Sequence, residues 1–265
     1  MLNRAILYWK RARVSLAQYG RHTTELVIVD GSCEEKPNHP HMWHNLGGKI
    51  IDSSDGTHLI RYFYEPIVEG TGNLHNLACE HAMGDIIVQW DDDDYQAPSR
   101  LWKTVEALSD EREAFLYTSK YYWYHLLTGQ AALATTWNGG GGSVGATFAY
   151  HRKVWEKIRF RDVPHGEDGF FWQDLQAAKV PMVDLWDPSL LIYVRHPQNG
   201  SPLWNESVSQ EATEGARSLM TPDDLDFYDG LTELLPIAQR NEPQGVRPGF
   251  QMAHQELLRR RGLLR

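Results

Sequence analysis

Two short apolar runs, Glu25-Leu-Val-Ile-Val-Asp30 and Asp85-Ile-Ile-Val-Gln-Trp90, constrain the fold of this chain more than any other feature. Neither alternates with polar residues as a strand with one wet face would. Both read as strands covered on two sides, the habit of parallel sheets. Each leads into an aspartate: Asp30 in the first case, and Asp91, Asp92, Asp93 and Asp94 in the second. Helical spacing fills the gaps between them. Apolar residues at Ile6, Leu7, Trp9, Val14 and Leu16 predict a helix over residues 4–19. Asn73–Met83 is expected to be another, closed by Gly84, and Pro98 opens a third to about Leu108. A second strand is expected at His58–Tyr64. Alternation of this kind predicts an α/β fold, a three-layer sandwich with a mostly parallel central sheet. Ligands of such sheets bind beyond the carboxyl ends of the strands, where Asp30 and Asp91 both fall.

Farther along, aromatic strands are expected over 114–124, and a glycine run at 139–142 precedes another strand at 144–150. A short helix at 152–157, a helix from Gly166-Glu167-Asp168 to about Ala178, and a last core strand at Leu190–Arg195 complete the pattern. Beyond His196 the chain turns polar and loop-rich, with helical stretches near 222–239 and 251–264. The expected division is a core domain over 1–200 and a helical extension over 201–265. A net charge of −9 in 265 residues argues against a surface built for nucleic acid. The two cysteines, Cys33 and Cys79, have no metal-ligand spacing and suit a reducing compartment. With no apolar run of membrane-spanning length and no signal-peptide pattern, the expected location is the cytoplasm.

The aspartate run carries the chemistry. On an extended segment Asp91 and Asp93 share one face and Asp92 and Asp94 the other. Two carboxylates about 5 Å apart repel by roughly 3 kcal/mol at an effective dielectric of about 20. A hard divalent cation, Mg²⁺ or Mn²⁺, relieves that repulsion and keeps positions open for phosphate oxygens. The bland alternative is a solvated acidic turn. Asp168 is the candidate general base; alternatively it caps the helix that starts beside it. Asp30 can accept from a base N–H, or serve only an Asp-Gly turn. His39, His41 and His44 read as structural. The glycine run lacks the Lys-Ser/Thr ending of a phosphate loop.

Asn76-Leu-Ala, Ala82-Met-Gly-Asp-Ile-Ile-Val-Gln-Trp-Asp-Asp-Asp-Asp-Tyr, Pro98 and Arg100-Leu101, taken in order, resemble family 2 glycosyltransferases of the GT-A fold. Glu25–Ser32 looks like that family's first aspartate-ended strand. Ser143–Lys153 with Trp155, Gly166-Glu167-Asp168 and His196-Pro-x-Asn199 are similar to its acceptor-side and closing motifs. The likeness spans roughly residues 3–204.

The resemblance implies an inverting transfer from a nucleoside-diphosphate sugar, a UDP-sugar foremost, to a hydroxyl acceptor. It implies Asp93 and His196 as ligands of Mn²⁺ or Mg²⁺. Asp30, Asn76, Asp91 and Asp92 fall on the nucleotide, and Asp168 becomes the base. Family members begin with one more strand, so the expectation is a sheet that lacks it or fills its place with another segment, and His75 stands where the family carries a basic residue. A metal-dependent nucleotidyltransferase and a non-catalytic binding module remain as alternatives.

Overall fold

The computed structural model describes residues 2–20, 22–31, 58–65, 68, 70–109, 113–135, 144–163, 166–196 and 207–240. His39, His41 and His44, the glycine run 139–142, Asn199 and the stretch 251–264 lie outside the described residues. Helix α1 spans Leu2–Ala17, and the strands β1 and β2 span Thr24–Asp30 and His58–Tyr64. Then come α2 (Thr71–His81), β3 (Ile86–Val88), β4 (Tyr95–Gln96), α3 (Arg100–Leu108), β5 (Phe115–Tyr117), β6 (Lys120–His125) and β7 (Gln130–Thr135). A 3₁₀ turn at Gly145–Thr147 leads into β8 (Ala149–His151) and α4 (Arg152–Lys157). The rest is α5 (Glu167–Ala177), β9 (Met182–Asp184), β10 (Leu191–Arg195), α6 (Gln210–Ser218) and α7 (Pro222–Arg240).

The α/β class is as expected, but the strands are mixed rather than mostly parallel. β1 and β2 pair in parallel from Thr24 opposite His58 to Asp30 opposite Tyr64. β3 pairs antiparallel with β8, in a sheet ordered β3-β8-β5-β9. A third sheet is ordered β4-β10-β6-β7, with β10 parallel to β6 and antiparallel to β4. The reason is topological. Parallel neighbours need a crossover, usually an α-helix, and among the described residues no α-helix lies between β5 and β8. The chain spends that interval on the β6–β7 hairpin, and β8 pairs antiparallel with β5; it is antiparallel to β3 as well.

Helix α1 forms because Ala5, Tyr8, Trp9, Ala12 and Leu16 recur at helical spacing and bury one stripe. Trp9, Ala12 and Leu16 pack with Leu26 of β1, Ile60 of β2 and Leu101 of α3. Each large apolar side chain so buried contributes about 1.5–3 kcal/mol. Tyr8 joins a second cluster with Tyr95, Tyr124, Ile192 and Val194, together with Ala216, Met220, Phe227, Tyr228 and Leu231. That cluster unites residues on both sides of position 200.

An ion pair buried at the same junction fixes α1 against α7. Asp224 is fully buried and accepts from Arg4 and Arg11, at 3.0 and 2.8 Å. It also accepts from the Thr221 amide and hydroxyl, at 3.1 and 2.6 Å, while the Asp224 amide donates to Thr221 Oγ1 at 3.3 Å. This reciprocal arrangement caps α7, with Pro222 at its first position. Asp224→Ala removes the cap and the carboxylate paired with Arg11, and leaves Arg4 with Asp223 alone. We expect a loss of about 3 kcal/mol in denaturant unfolding, in the range for broken buried pairs. A loss below about 1 kcal/mol, the scale of an exposed pair, would contradict this account.

Candidate active site

Beyond Val88 the chain continues extended through Gln89 and Trp90 and then bends at residues 92–94. The bend breaks the expected alternation. Asp94, rather than sharing a face with Asp92, turns inward and is 1% exposed. Its Oδ1 accepts from the Val194 amide of β10 at 2.8 Å. Asp91, Asp93 and Asp94 each bring an oxygen to within 4.8 Å of the others, whereas Asp92 is exposed. At the end of β10, His196 lies buried with Nε2 3.0 Å from Asp93 Oδ2. The structure thus gathers Asp91, Asp93, Asp94 and His196 at one point.

A cavity of about 1100 Å³ opens beside them. Residues 23–31 and 82–93 line it consecutively. Side chains of a strand alternate between faces, so an unbroken run means that the strand edges of β1 and β3 form the walls. Among the described residues no strand pairs with either along the cleft. Ala5, Trp9 and Leu16 of α1 and Leu74, His75 and Ala78 of α2 flank it. Glu25 bridges one end by accepting from the Met83 and Gly84 amides. The aspartates stand at the other.

Asp30 lines this cleft and accepts from the Tyr62 hydroxyl at 2.6 Å. Asp168 also lines it, at the start of α5, where Gly166 adopts φ 75°. Glycine enters that left-handed region without the steric cost other residues bear. Both Asp168 oxygens accept backbone amides: Oδ2 from Gly145 at 3.1 Å and Oδ1 from Gly169 at 2.7 Å. The carboxylate is thereby fixed in orientation beside the 3₁₀ turn.

Asn76 is not brought to this group. Its Oδ1 accepts from Trp155 Nε1 and the Phe160 amide, both at 3.0 Å, and its Nδ2 donates to the Phe160 carbonyl at 2.9 Å. With its amide so occupied, Asn76 ties α2 to the segment after α4. Its neighbour His75 faces the cleft instead. Burial lowers the His75 pKa to about 4, against the opposing pull of Asp168, so the imidazole is neutral at pH 7.

Arg100 belongs to a motif in the sequence, but its buried position beneath the aspartates is a property of the fold. It is 2% exposed and donates to the Gln89 carbonyl at 2.8 Å, to the Ala146 carbonyl and to the Gln96 side chain. The available signal was a single cation placed six residues after a four-aspartate run.

The model of the family described as "Glycosyl transferase family 2" matches residues 15–158, more than half of the chain, and the chain belongs to that family. The matched span includes Asp30 and the aspartate run and ends before Asp168 and His196. No curated protein matches. Among solved structures, S. aureus TarS 1–349 is similar at 14% identity and TM-score 0.47, covering 98% of this chain and 80% of that one. Its complex with UDP-GlcNAc has TM-score 0.45 at 14% identity, covering 91% and 74%. The mannosyltransferase PcManGT from Pyrobaculum calidifontis, in complex with GDP-Man and Mn²⁺, has TM-score 0.44 at 14% identity, covering 94% and 86%.

Carboxylate crowding has a pH signature. Burial first, then Asp93, push the Asp91 pKa up from 3.8 to about 7. In the unfolded chain Asp91 ionises near its ordinary value, so the fold loses stability as pH rises from about 4 to about 7. Asp91→Asn removes that cost. In thermal unfolding without added cations, the variant should melt above the parent at pH 8, and the gap should close as pH falls toward 4. A gap independent of pH would contradict the assignment.

Proposed function

We propose that the chain transfers a sugar from a nucleoside-diphosphate sugar, most readily a UDP-sugar, to a hydroxyl acceptor, with inversion at the anomeric carbon, in the cytoplasm. The carrying observation is the convergence of Asp91, Asp93 and Asp94 at the mouth of a cleft that Asp168 also lines. Family membership supports the reaction class.

The donor set fits Mn²⁺ or Mg²⁺. All three converging groups are hard carboxylate oxygens, and Asp94 Oδ2 is buried with no hydrogen-bond partner among the described residues. An orphaned buried oxygen of that kind is what an unfilled ligand position leaves behind. Asp91, Asp93 and Asp94 would hold the ion, with His196 beside Asp93. When bound, a divalent cation there supplies neutralisation of the charge developing on the departing nucleoside diphosphate.

The chain's own residues perform the remaining work. Asp30, oriented by Tyr62, accepts from a ring N–H of the base. Asp92 reaches toward the donor from the exposed side of the turn. Asp168 takes the proton from the attacking acceptor hydroxyl, a role that contributes typically about 10²- to 10⁴-fold. Its two backbone amide donors hold it aimed into the cleft rather than out to solvent. Trp9, Leu16 and Leu74 give the cleft an apolar flank.

A second reading, a binding module without turnover, draws on the open β1 and β3 edges. Calorimetric titration of UDP and GDP, with and without Mn²⁺, on the parent and on Asp93→Ala separates the two. Binding that needs both the cation and Asp93 is the expected result and identifies the base. Binding of neither nucleotide under any condition overturns the donor site and favours the second reading.

A further inference from the structure

Arg100 opens α3 yet lies 2% exposed, and no ion pair to it forms among the described residues. A buried guanidinium costs several kcal/mol unless its donors are satisfied. Here they are satisfied by groups on three separate segments. Nη2 donates to the Gln89 carbonyl, where β3 runs into the aspartates, and to the Ala146 carbonyl in the 3₁₀ turn. Nη1 donates to the Gln96 side chain of β4. The guanidinium carbon sits 5.5 Å from the Trp90 ring centroid, and the charge faces Asp91 and Asp94.

The 3₁₀ turn is the same one whose Gly145 amide donates to Asp168. The Gln89 amide in turn donates to the Phe148 carbonyl at 2.9 Å. Arg100 therefore closes a loop of contacts: Asp91's strand end, Arg100, the turn, and Asp168. There is little room for the turn to drift, because a Cβ on Gly145 would meet both Asp168 Cβ and Gln89 Oε1 at 3.2 Å.

We propose that Arg100 is a positioning residue that holds the aspartate turn and the Asp168-bearing side of the cleft in one rigid frame, fixing the distance between the donor and acceptor halves. It touches no reacting atom. Its planar fork is what the role requires, since a lysine carries one compact charge and cannot span acceptors on diverging segments.

The test compares the parent with Arg100→Lys and Arg100→Met, and part of it rests on the function proposed above. Amide hydrogen exchange at Gln89, Thr147 and Phe148 reads the frame without any ligand. Mn²⁺ titration, alone and with UDP, reads the site. Arg100→Lys is expected to fold and to exchange faster at those three amides. Its Mn²⁺ affinity should fall as well, because the Gln89 carbonyl beside Asp91 loses its tie to the turn at Ala146. A residue with a merely structural role would lower the melting temperature and leave affinity per folded molecule, and local exchange, unchanged; that result overturns the proposal. Should Arg100→Met fail to fold, Arg100→Lys still decides. If the parent itself binds neither Mn²⁺ nor UDP, the donor site fails, while parent-like exchange in Arg100→Lys would separately sink the positioning role.

Discussion

The bond from the Val194 amide to Asp94 Oδ1 joins two segments one hundred residues apart, and the geometry of the cleft mouth depends on it. It turns Asp94 inward and so ends the extended run of β3. It also sets β10 beside the aspartate turn, so that the next residue after the strand, His196, meets Asp93. The amide occupies one oxygen of this buried carboxylate, and the other has no hydrogen-bond partner among the described residues. Four acidic residues in sequence would otherwise fan outward to minimise repulsion. The fold instead compresses three of them and offsets the cost with Arg100 behind and His196 in front.

Much of this was legible in the chain. The β2 bounds agree with the expected strand, α5 and β10 fall within a residue or so, and Asp30, Asp91, Asp93 and Asp168 all reach one cleft. Local signals sufficed there: β-branched runs, a proline before α3, and a glycine before an acidic helix start. Other features were decided by partners remote in sequence. β7 is Gln-Ala-Ala-Leu-Ala-Thr, with alanines that carry little strand preference, and it exists because β6 pairs with it. α6 holds Gly215 mid-helix, yet the Ser209 side chain accepts from the Ala212 amide and starts it. Helix α2 ends at His81 without using Gly84, whose amide goes to Glu25.

Asn76 and Arg100 illustrate the limit from opposite sides. Both are polar residues in helices near the cleft, and a motif points to each equally. Only tertiary contacts show that one amide is consumed in joining α2 to the segment at Phe160, whereas the other side chain anchors the turn under the aspartates. The alternation rule failed at Asp94 for the same reason. A period of two holds only while the strand continues, and a bend decided by β10 cannot be seen in four identical letters.

The core cluster shared by α1, β10, α6 and α7 packs the described residues that follow β10 against the first helix of the chain. Tyr8 and Tyr228 share a hydroxyl contact at 3.3 Å, and Tyr95 donates to the Leu219 carbonyl. A form of the protein that stopped after β10 would leave Tyr8, Tyr95 and Tyr124 facing water and Arg4 and Arg11 without a counter-charge. Helix α1 is held in part by those contacts, and through Trp90, whose indole donates to the Ala5 carbonyl at 3.1 Å, it leans directly on the strand that delivers the aspartates. Shortening the chain at that end is thus a perturbation of the cleft itself, transmitted along one helix.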